Sequence, residues 1–295
     1  MKKFICIDIG GTSIKYGVLN EDGSIITKDC MDTKALEEGG IGILEKIKYI
    51  VKKYINDYSI EGICISTAGM VDPKEGKIIY SLEELIPGYT GMEIKKEVEE
   101  EFKIRCEVEN DVNCAGLGET WLGAGKGSSS AVCMTIGTGI GGCVIINNRL
   151  ISGFSNSAGE IGYMNVDGKR FQDLASTTSL VKRVAKAKGI SEKDLNGKLI
   201  FEMAKNKDED CLKEIDYMIK SLAIGIANLC YVTNPEVIIL GGGIMAQGEF
   251  IKKRLKDALS QELIKNIYDN TRIEFAKKQN DAGMIGALYN FLNKI

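Results

Sequence analysis

The sequence predicts a duplicated α/β protein of two lobes, and three observations lead there. The chain has 295 residues, more than one compact core usually holds and enough for two lobes of roughly 100–200 residues each. A strand–glycine turn–strand pattern occurs twice, as FICIDIGGTSIKYGVL at residues 4–19 and AVCMTIGTGIGGCVII at 131–146. Laid on one another, Cys6 falls on Cys133, Ile9 on Ile136 and Gly10 on Gly137. Each hairpin is followed by helical segments and then by an apolar strand ending in small residues. The first of these strands runs Gly62 to Ser66 into Thr67-Ala68-Gly69, the second Val237 to Leu240 into Gly241-Gly242-Gly243. A period this long marks a duplicated domain rather than a solenoid, whose repeats run to about 20–50 residues.

Helices fill the space between the strands. Residues 41–56 carry Ile41, Leu44, Ile47, Ile50, Val51 and Tyr54 at three- and four-residue steps, the spacing of one helix face. Residues 93–102 repeat the pattern with more charge. Asp111 opens an apolar helix reaching about Leu122, residues 211–231 form the longest candidate, and the last helix starts near Asp281. Pro235 marks the junction between a helix and the strand at Val237. Residues 72–77 and 86–91 read as loops. The expected division is a small lobe of residues 1–112, completed by a C-terminal helix at 281–295, and a large lobe of residues 113–280. No low-complexity linker separates them, so the lobes are expected to hinge about an interlobe cleft.

Composition narrows the function. Lys and Arg total 38 against 41 Asp and Glu, a formal charge of −3, which leaves no basic field for nucleic acid. Asp8 interrupts the apolar start after four residues, too early for a signal peptide. The uncharged stretch from Gly127 to Asn148 holds five glycines and many β-branched residues, which suits two strands and a turn better than a membrane helix. Nine cysteines, an odd number with no C-x-x-C pair, read as reduced thiols of a cytoplasmic protein. The chain has no histidine. That excludes a Ser-His-Asp triad and any His-ligated metal, and leaves acid–base work to a carboxylate, Lys, Tyr or Cys.

The glycine turns are the first candidate site. Gly137-Thr138-Gly139-Ile140-Gly141-Gly142 fits the dinucleotide pattern G-x-G-x-x-G, but Cys143 to Ile146 reads as a strand where that motif requires a helix. A tight glycine turn between strands still brings backbone N–H groups close to an anion. Thr12 and Thr138 add hydroxyls, and two such turns, one per lobe, could hold a triphosphate; ordinary hairpins are the alternative. Asp8 ends a buried-looking strand, where a carboxylate needs a partner such as the Mg2+ of ATP or a hydrogen-bonding neighbour. Gly241-Gly242-Gly243 follows an apolar strand and could lie against adenine or ribose, although a helix-start turn looks the same.

Glu109-Asn110-Asp111 precedes a helix. A carboxylate at a helix N-terminus is expected to be ionised at pH 7 and able to accept a proton, which is what the attacking hydroxyl requires in phosphoryl transfer. An N-capping pair is the structural alternative. Ala158-Gly159-Glu160-Ile161-Gly162-Tyr163 offers a carboxylate and a ring for a sugar, or else a solvated Glu beside a core Tyr.

In this order, Asp8 to Thr12, Glu109 to Asp111, Ile136 to Gly142, Ala158 to Gly162 and Leu240 to Ile244 resemble the motifs of ROK-family sugar kinases, over nearly the whole chain. The resemblance implies the duplicated actin-like ATPase (ribonuclease H-like) fold of the actin/hexokinase superfamily. It implies that Asp111 is the base for a sugar 6-hydroxyl, with Gly69, Asn110, Asp111, Glu160 and Tyr163 on the sugar. It further implies that Asp8 serves Mg-ATP, and that Gly10, Gly11, Thr12, Lys15, Thr138, Gly139, Gly241, Gly242 and Gly243 serve the nucleotide. A homodimer is common in the family. Its repressors begin with a helix-turn-helix, for which a first strand at Phe4 leaves no room.

Two positions depart from the family pattern. Tyr163 stands where most members have His, and no cysteine-rich zinc loop follows, so no structural zinc is expected. The family's second sugar-contacting Glu falls near Gln172 or Asp173. Zinc-less members with Gly-Tyr-Met here resemble bacterial N-acetylmannosamine kinases and related hexokinases; N-acetylmannosamine is the preferred substrate reading, with glucokinase and β-glucoside kinase as alternatives. A non-catalytic sugar sensor on the same fold is the reading of another class.

Overall fold

The structure, a computed structural model, describes residues 1–294. Its chain contacts divide it into two units. The first comprises Met1–Gly127, Ser152–Ser157 and the residues from 280 on; the second comprises Ser128–Ile151 and Ala158–Gln279.

In the first unit, β1 (Lys3–Ile9) and β2 (Ser13–Asn20) form the first hairpin and β3 (Ile25–Asp32) extends it. Helix α1 (Ala35–Ile55) leads to β4 (Ile60–Thr67), which runs parallel to β1. A small ladder of β5 (Met70–Asp72) and β6 (Lys77–Tyr80) follows, then α2 (Ile94–Phe102) and β7 (Cys106–Asn110), parallel to β4. Helix α3 (Asp111–Leu122) starts directly from β7. The sheet order is β3-β2-β1-β4-β7. Helix α1 begins at Ala35, earlier than the apolar spacing predicts, because Gly39 bends its first turns (φ 59°, ψ −161°).

Strand β1 is apolar on both faces because both are covered. Side chains alternate across a strand, so Ile5, Ile7 and Ile9 pack with Ile43, Ile47 and Ile50 of α1. Phe4 and Cys6 pack on the other face with Met284, Leu288 and Phe291 of the C-terminal helix (Ala282–Leu292, α10 in chain order) and with Cys114 of α3. That alternation puts Asp8 on the α10 side. Gly286 of α10 lies against the Cys114 carbonyl of α3, a crossing too close for a Cβ.

The second unit repeats the plan. Strands β8 (Ala131–Ile136) and β9 (Ile140–Ile146) form its hairpin and β10 (Arg149–Leu150) extends it. A two-strand ladder, β11 (Asn165–Val166) with β12 (Lys169–Arg170), precedes helices α4 (Phe171–Ala175), α5 (Thr177–Lys188), α6 (Gly197–Lys205) and α7 (Glu209–Thr233). Strand β13 (Val237–Gly241) then runs parallel to β8; α8 (Glu249–Glu262), α9 (Lys265–Asn270) and β14 (Arg272–Phe275) complete the unit. The order β10-β9-β8-β13-β14 mirrors the first sheet strand for strand, so the sequence repeat is a repeat of topology.

Among the described residues α7 alone is long and apolar enough to cross a membrane. Its apolar face, including Ile215, Ile219, Leu222 and Ile226, is instead buried in the core of its unit. All nine cysteines are thiols; eight are buried and Cys30 is exposed.

Candidate active site

The acidic part of the site lies in the first unit, where three parallel strands end side by side. Asp8 of β1 stands in register with Ser66 of β4, which stands in register with Glu109 of β7; Thr67 is opposite Asn110. In parallel sheets ligands gather at these carboxyl ends. The Ser66 hydroxyl donates to Asp8 Oδ1 at 2.6 Å, and Lys15 Nζ lies 3.7 Å from Oδ2. Burial nevertheless raises the Asp8 pKa above the ordinary carboxylate value, against Ser66 and Lys15, which lower it. Gly283 of α10 lies beside this carboxylate, where a Cβ would collide with it.

Asp111 opens α3. Its Oδ1 accepts hydrogen bonds from the Val112 N–H (2.9 Å) and the Asn110 side-chain amide (3.0 Å). Among the described residues Oδ2 receives none. Burial, followed by the negative charge of Asp8, pushes the Asp111 pKa up to about 7, outweighing the Val112 and Asn110 hydrogen bonds. The sequence expectation that the helix N-terminus keeps this group fully ionised at pH 7 meets an opposing effect: desolvation and a second acid outweigh the helix N-terminus and raise the pKa of the carboxyl towards neutrality.

Asn110 is the N-cap of α3. Its Oδ1 accepts from the N–H groups of Val112 (2.9 Å) and Asn113 (3.0 Å), and its Nδ2 donates to the Gly69 carbonyl (2.9 Å) as well as to Asp111. Capping, the structural alternative, is thus what Asn110 does locally, and the same side chain ties Gly69 and Asp111 into one cluster. Gly69 is held at φ 97°, a conformation few residues other than glycine adopt. The buried Glu109 supports the cluster by accepting from the Asn110 N–H (2.8 Å) and from Asn113 Nδ2 (3.0 Å). Gly10, Gly11 and Thr12 form the turn between β1 and β2, with Gly11 and Thr12 exposed.

The second unit contains a cavity of about 880 Å³. Gly137 and Thr138 of the β8–β9 turn, Thr177 and Thr178 at the start of α5, and Gly243 and Ile244 after β13 line it, with Val181, Leu195 and Phe201 as an apolar wall. The Gly137 carbonyl accepts from the Thr177 N–H at 2.8 Å, so the glycine turn abuts a helix N-terminus. Strand β9 continues past Gly142, so no helix stands where the dinucleotide motif would put it. The signal lay further on, in the hydroxyl run Ser176-Thr177-Thr178-Ser179, where Ser176 caps α5. Of the three glycines at the end of β13 and just beyond it, Gly243 lines the cavity, whereas Gly241 and Gly242 do not.

Glu160 and Tyr163 bracket a short 3-10 turn, Ile161–Tyr163, in the second unit. Tyr163 is half exposed, and partial enclosure raises the Glu160 pKa. The two candidates for the second sugar-contacting position separate cleanly. Asp173 turns outward to Arg170 Nε (2.7 Å), while the Gln172 side-chain carbonyl lies over Gly139 and Gly162. Among the described residues no group of three or more His, Cys, Asp or Glu is placed to hold a metal ion.

Two mirrored sheets, each with a glycine turn at its leading hairpin, define the duplicated actin-like fold. The ROK family model matches residues 4–294, and the chain belongs to the ROK family. An uncharacterized protein of Clostridium perfringens (strain 13 / Type A) is 53% identical over 291 residues, 99% of this chain and 98% of that one. A beta-glucoside kinase of Listeria innocua is 33% identical, covering 99% of this chain and 98% of its own. Among solved structures, the Lmo2764 protein of Listeria monocytogenes, named as a candidate N-acetylmannosamine kinase, superposes with a TM-score of 0.88 at 32% identity, covering 99% of both chains.

Proposed function

We propose that this ROK-family sugar kinase transfers the terminal phosphoryl group of ATP to the 6-hydroxyl of a hexose or N-acetylhexosamine, with Asp111 as the proton acceptor. The Asp111 carboxyl carries the reading. One oxygen is fixed by two hydrogen bonds, the other receives none among the described residues, and the pKa sits at about 7. A base poised near the working pH is the group a hydroxyl needs as it attacks phosphorus.

Gly69 and Asn110 hold the sugar beside Asp111, and Glu160 and Tyr163 are the further sugar-binding residues. Gly10, Gly11, Thr12 and Lys15, together with Thr138, Gly139 and Gly241 to Gly243, serve the nucleotide. The start of α5 joins them, since a helix N-terminus favours phosphate. Asp8 serves the Mg2+ that accompanies ATP. A single carboxylate beside a phosphate turn suits an ion that keeps several waters and takes its other oxygens from phosphate. When bound, the ion neutralises charge on the transferring group.

N-acetylmannosamine is the first choice of acceptor, supported by Gly162-Tyr163-Met164 and by the likeness to Lmo2764. A β-glucoside is the second, supported by the Listeria innocua relative. A homodimer in the cytoplasm completes the proposal. The test is coupled ADP release across glucose, N-acetylmannosamine, N-acetylglucosamine, fructose, mannose and cellobiose. Fastest turnover of N-acetylmannosamine supports the first choice, and fastest turnover of cellobiose replaces it with the second. No sugar-dependent ADP from any of them would sink the kinase reading in favour of a sugar sensor.

A further inference from the structure

We infer that Thr33 is a positioning residue that orients the first glycine turn towards nucleotide phosphate and thereby sets nucleotide affinity. The inference rests on the reading of Gly10 to Thr12 as a phosphate site. Thr33 follows β3, belongs to none of the motifs above, and is fully buried. Its N–H donates to the Thr12 carbonyl at 3.0 Å, and its hydroxyl donates to the Gly10 carbonyl at 2.6 Å. Its own carbonyl accepts from Lys46 Nζ at 2.6 Å, and Lys46, on α1, also binds Glu38 Oε2 at 2.7 Å. The turn is therefore braced against α1 through one threonine.

The consequence follows from peptide geometry. In a trans peptide the C=O of one residue and the N–H of the next point in opposite directions, and no cis peptide occurs among the described residues. Holding the Gly10 carbonyl towards Thr33 turns the Gly11 N–H away from it. Gly11 itself is exposed, and a Cβ on it would meet nothing within 4 Å, so a ligand can approach this backbone. Among the described residues no acceptor takes the Gly11 or Thr12 N–H. The turn thus presents unspent donors outward while Thr33 holds its carbonyls back, the arrangement an anion requires. Because Thr33 is buried behind the turn, it acts through the backbone of Gly10 to Thr12.

The test compares Thr33→Val, which keeps the shape and the N–H but deletes the hydroxyl, with Thr33→Ser, which keeps the hydroxyl. KM for ATP and for the sugar are measured separately, the dissociation constant for Mg-ADP is measured by calorimetry, and Tm is recorded for each. In the valine variant the ATP KM and the ADP dissociation constant should rise roughly three- to tenfold, the effect of losing one orienting hydrogen bond. The sugar KM should stay within about twofold on the same basis, and serine should restore nucleotide affinity. Unchanged nucleotide affinity in the valine variant, or equal rises in both KM values, overturns the inference. A wild-type protein without sugar-dependent turnover counts against the kinase reading instead, and the ADP dissociation constants still decide the role of Thr33. If the valine variant does not fold, Lys46→Met releases the Thr33 carbonyl without touching the turn. A rise in ATP KM alone then supports the inference, and no change contradicts it.

Discussion

Asp111 is destabilised as an anion by two neighbouring causes, its burial and the charge of Asp8, and this makes its contribution to stability depend on pH. An unfolded aspartate titrates near 3.8 and folded Asp111 near 7. Between those values the native chain holds a proton that the unfolded chain has released, so stability falls as pH rises through this window. The full difference is on the order of a few kcal/mol. Asp111→Asn, which cannot ionise, should therefore raise Tm over wild type by more at pH 8 than at pH 4.5, as read by thermal denaturation at both pH values. An equal shift at both would mean that Asp111 titrates normally. Gly283→Ala would drive a Cβ into the Asp8 carboxylate that Ser66 holds. It should lower both Tm and turnover, and retention of both would show that α10 can retreat. The chemical identity of these acids was legible in the sequence, since Asp8 precedes a glycine turn and Asp111 precedes a helix. Their ionisation was not, because it depends on strands brought together from distant parts of the chain.

At the scale of elements, α3 joins stability to the site through its cap. Asn110→Ala removes the side-chain cap and should cost about 1 kcal/mol by denaturant unfolding. It also releases the Gly69 carbonyl and the Asp111 carboxylate, so the sugar KM should rise while the ATP KM holds. A variant with lower stability but an unchanged sugar KM would make Asn110 a cap only. The two leading hairpins, the strands β4 and β13 and five of the ten α-helices among the described residues were readable because their apolar periods of two and 3.6 coincide with burial. The start of α1 was not, since Gly39, Gly40 and Gly42 break the pattern where the chain bends. Likewise α5 reaches the glycine turn only through folding. Nothing in the local sequence at Thr177 points back to Gly137, and nothing at Thr33 points back to Gly10.

The whole molecule is one α/β plan used twice, and the two copies have diverged in what they carry. The first unit carries Asp8 and Asp111, and the second carries the large cavity beside α5. The repeat was visible in sequence because both leading hairpins kept their glycines and their apolar runs. Burial of eight of the nine thiols makes a prediction at this scale. Under native conditions a thiol reagent should label Cys30 quickly and the other eight only on unfolding. Fast labelling of several would show looser packing of the two cores than described above.

In the proposed reaction Asp111 is the group that receives the sugar proton. The most direct measurement is sugar-dependent ADP release by Asp111→Asn beside wild type, with sugar and nucleotide affinities measured separately. Turnover should drop by about a hundredfold or more, the usual scale for loss of a general base, while both ligands still bind. Turnover at the wild-type rate in the asparagine variant would contradict that role.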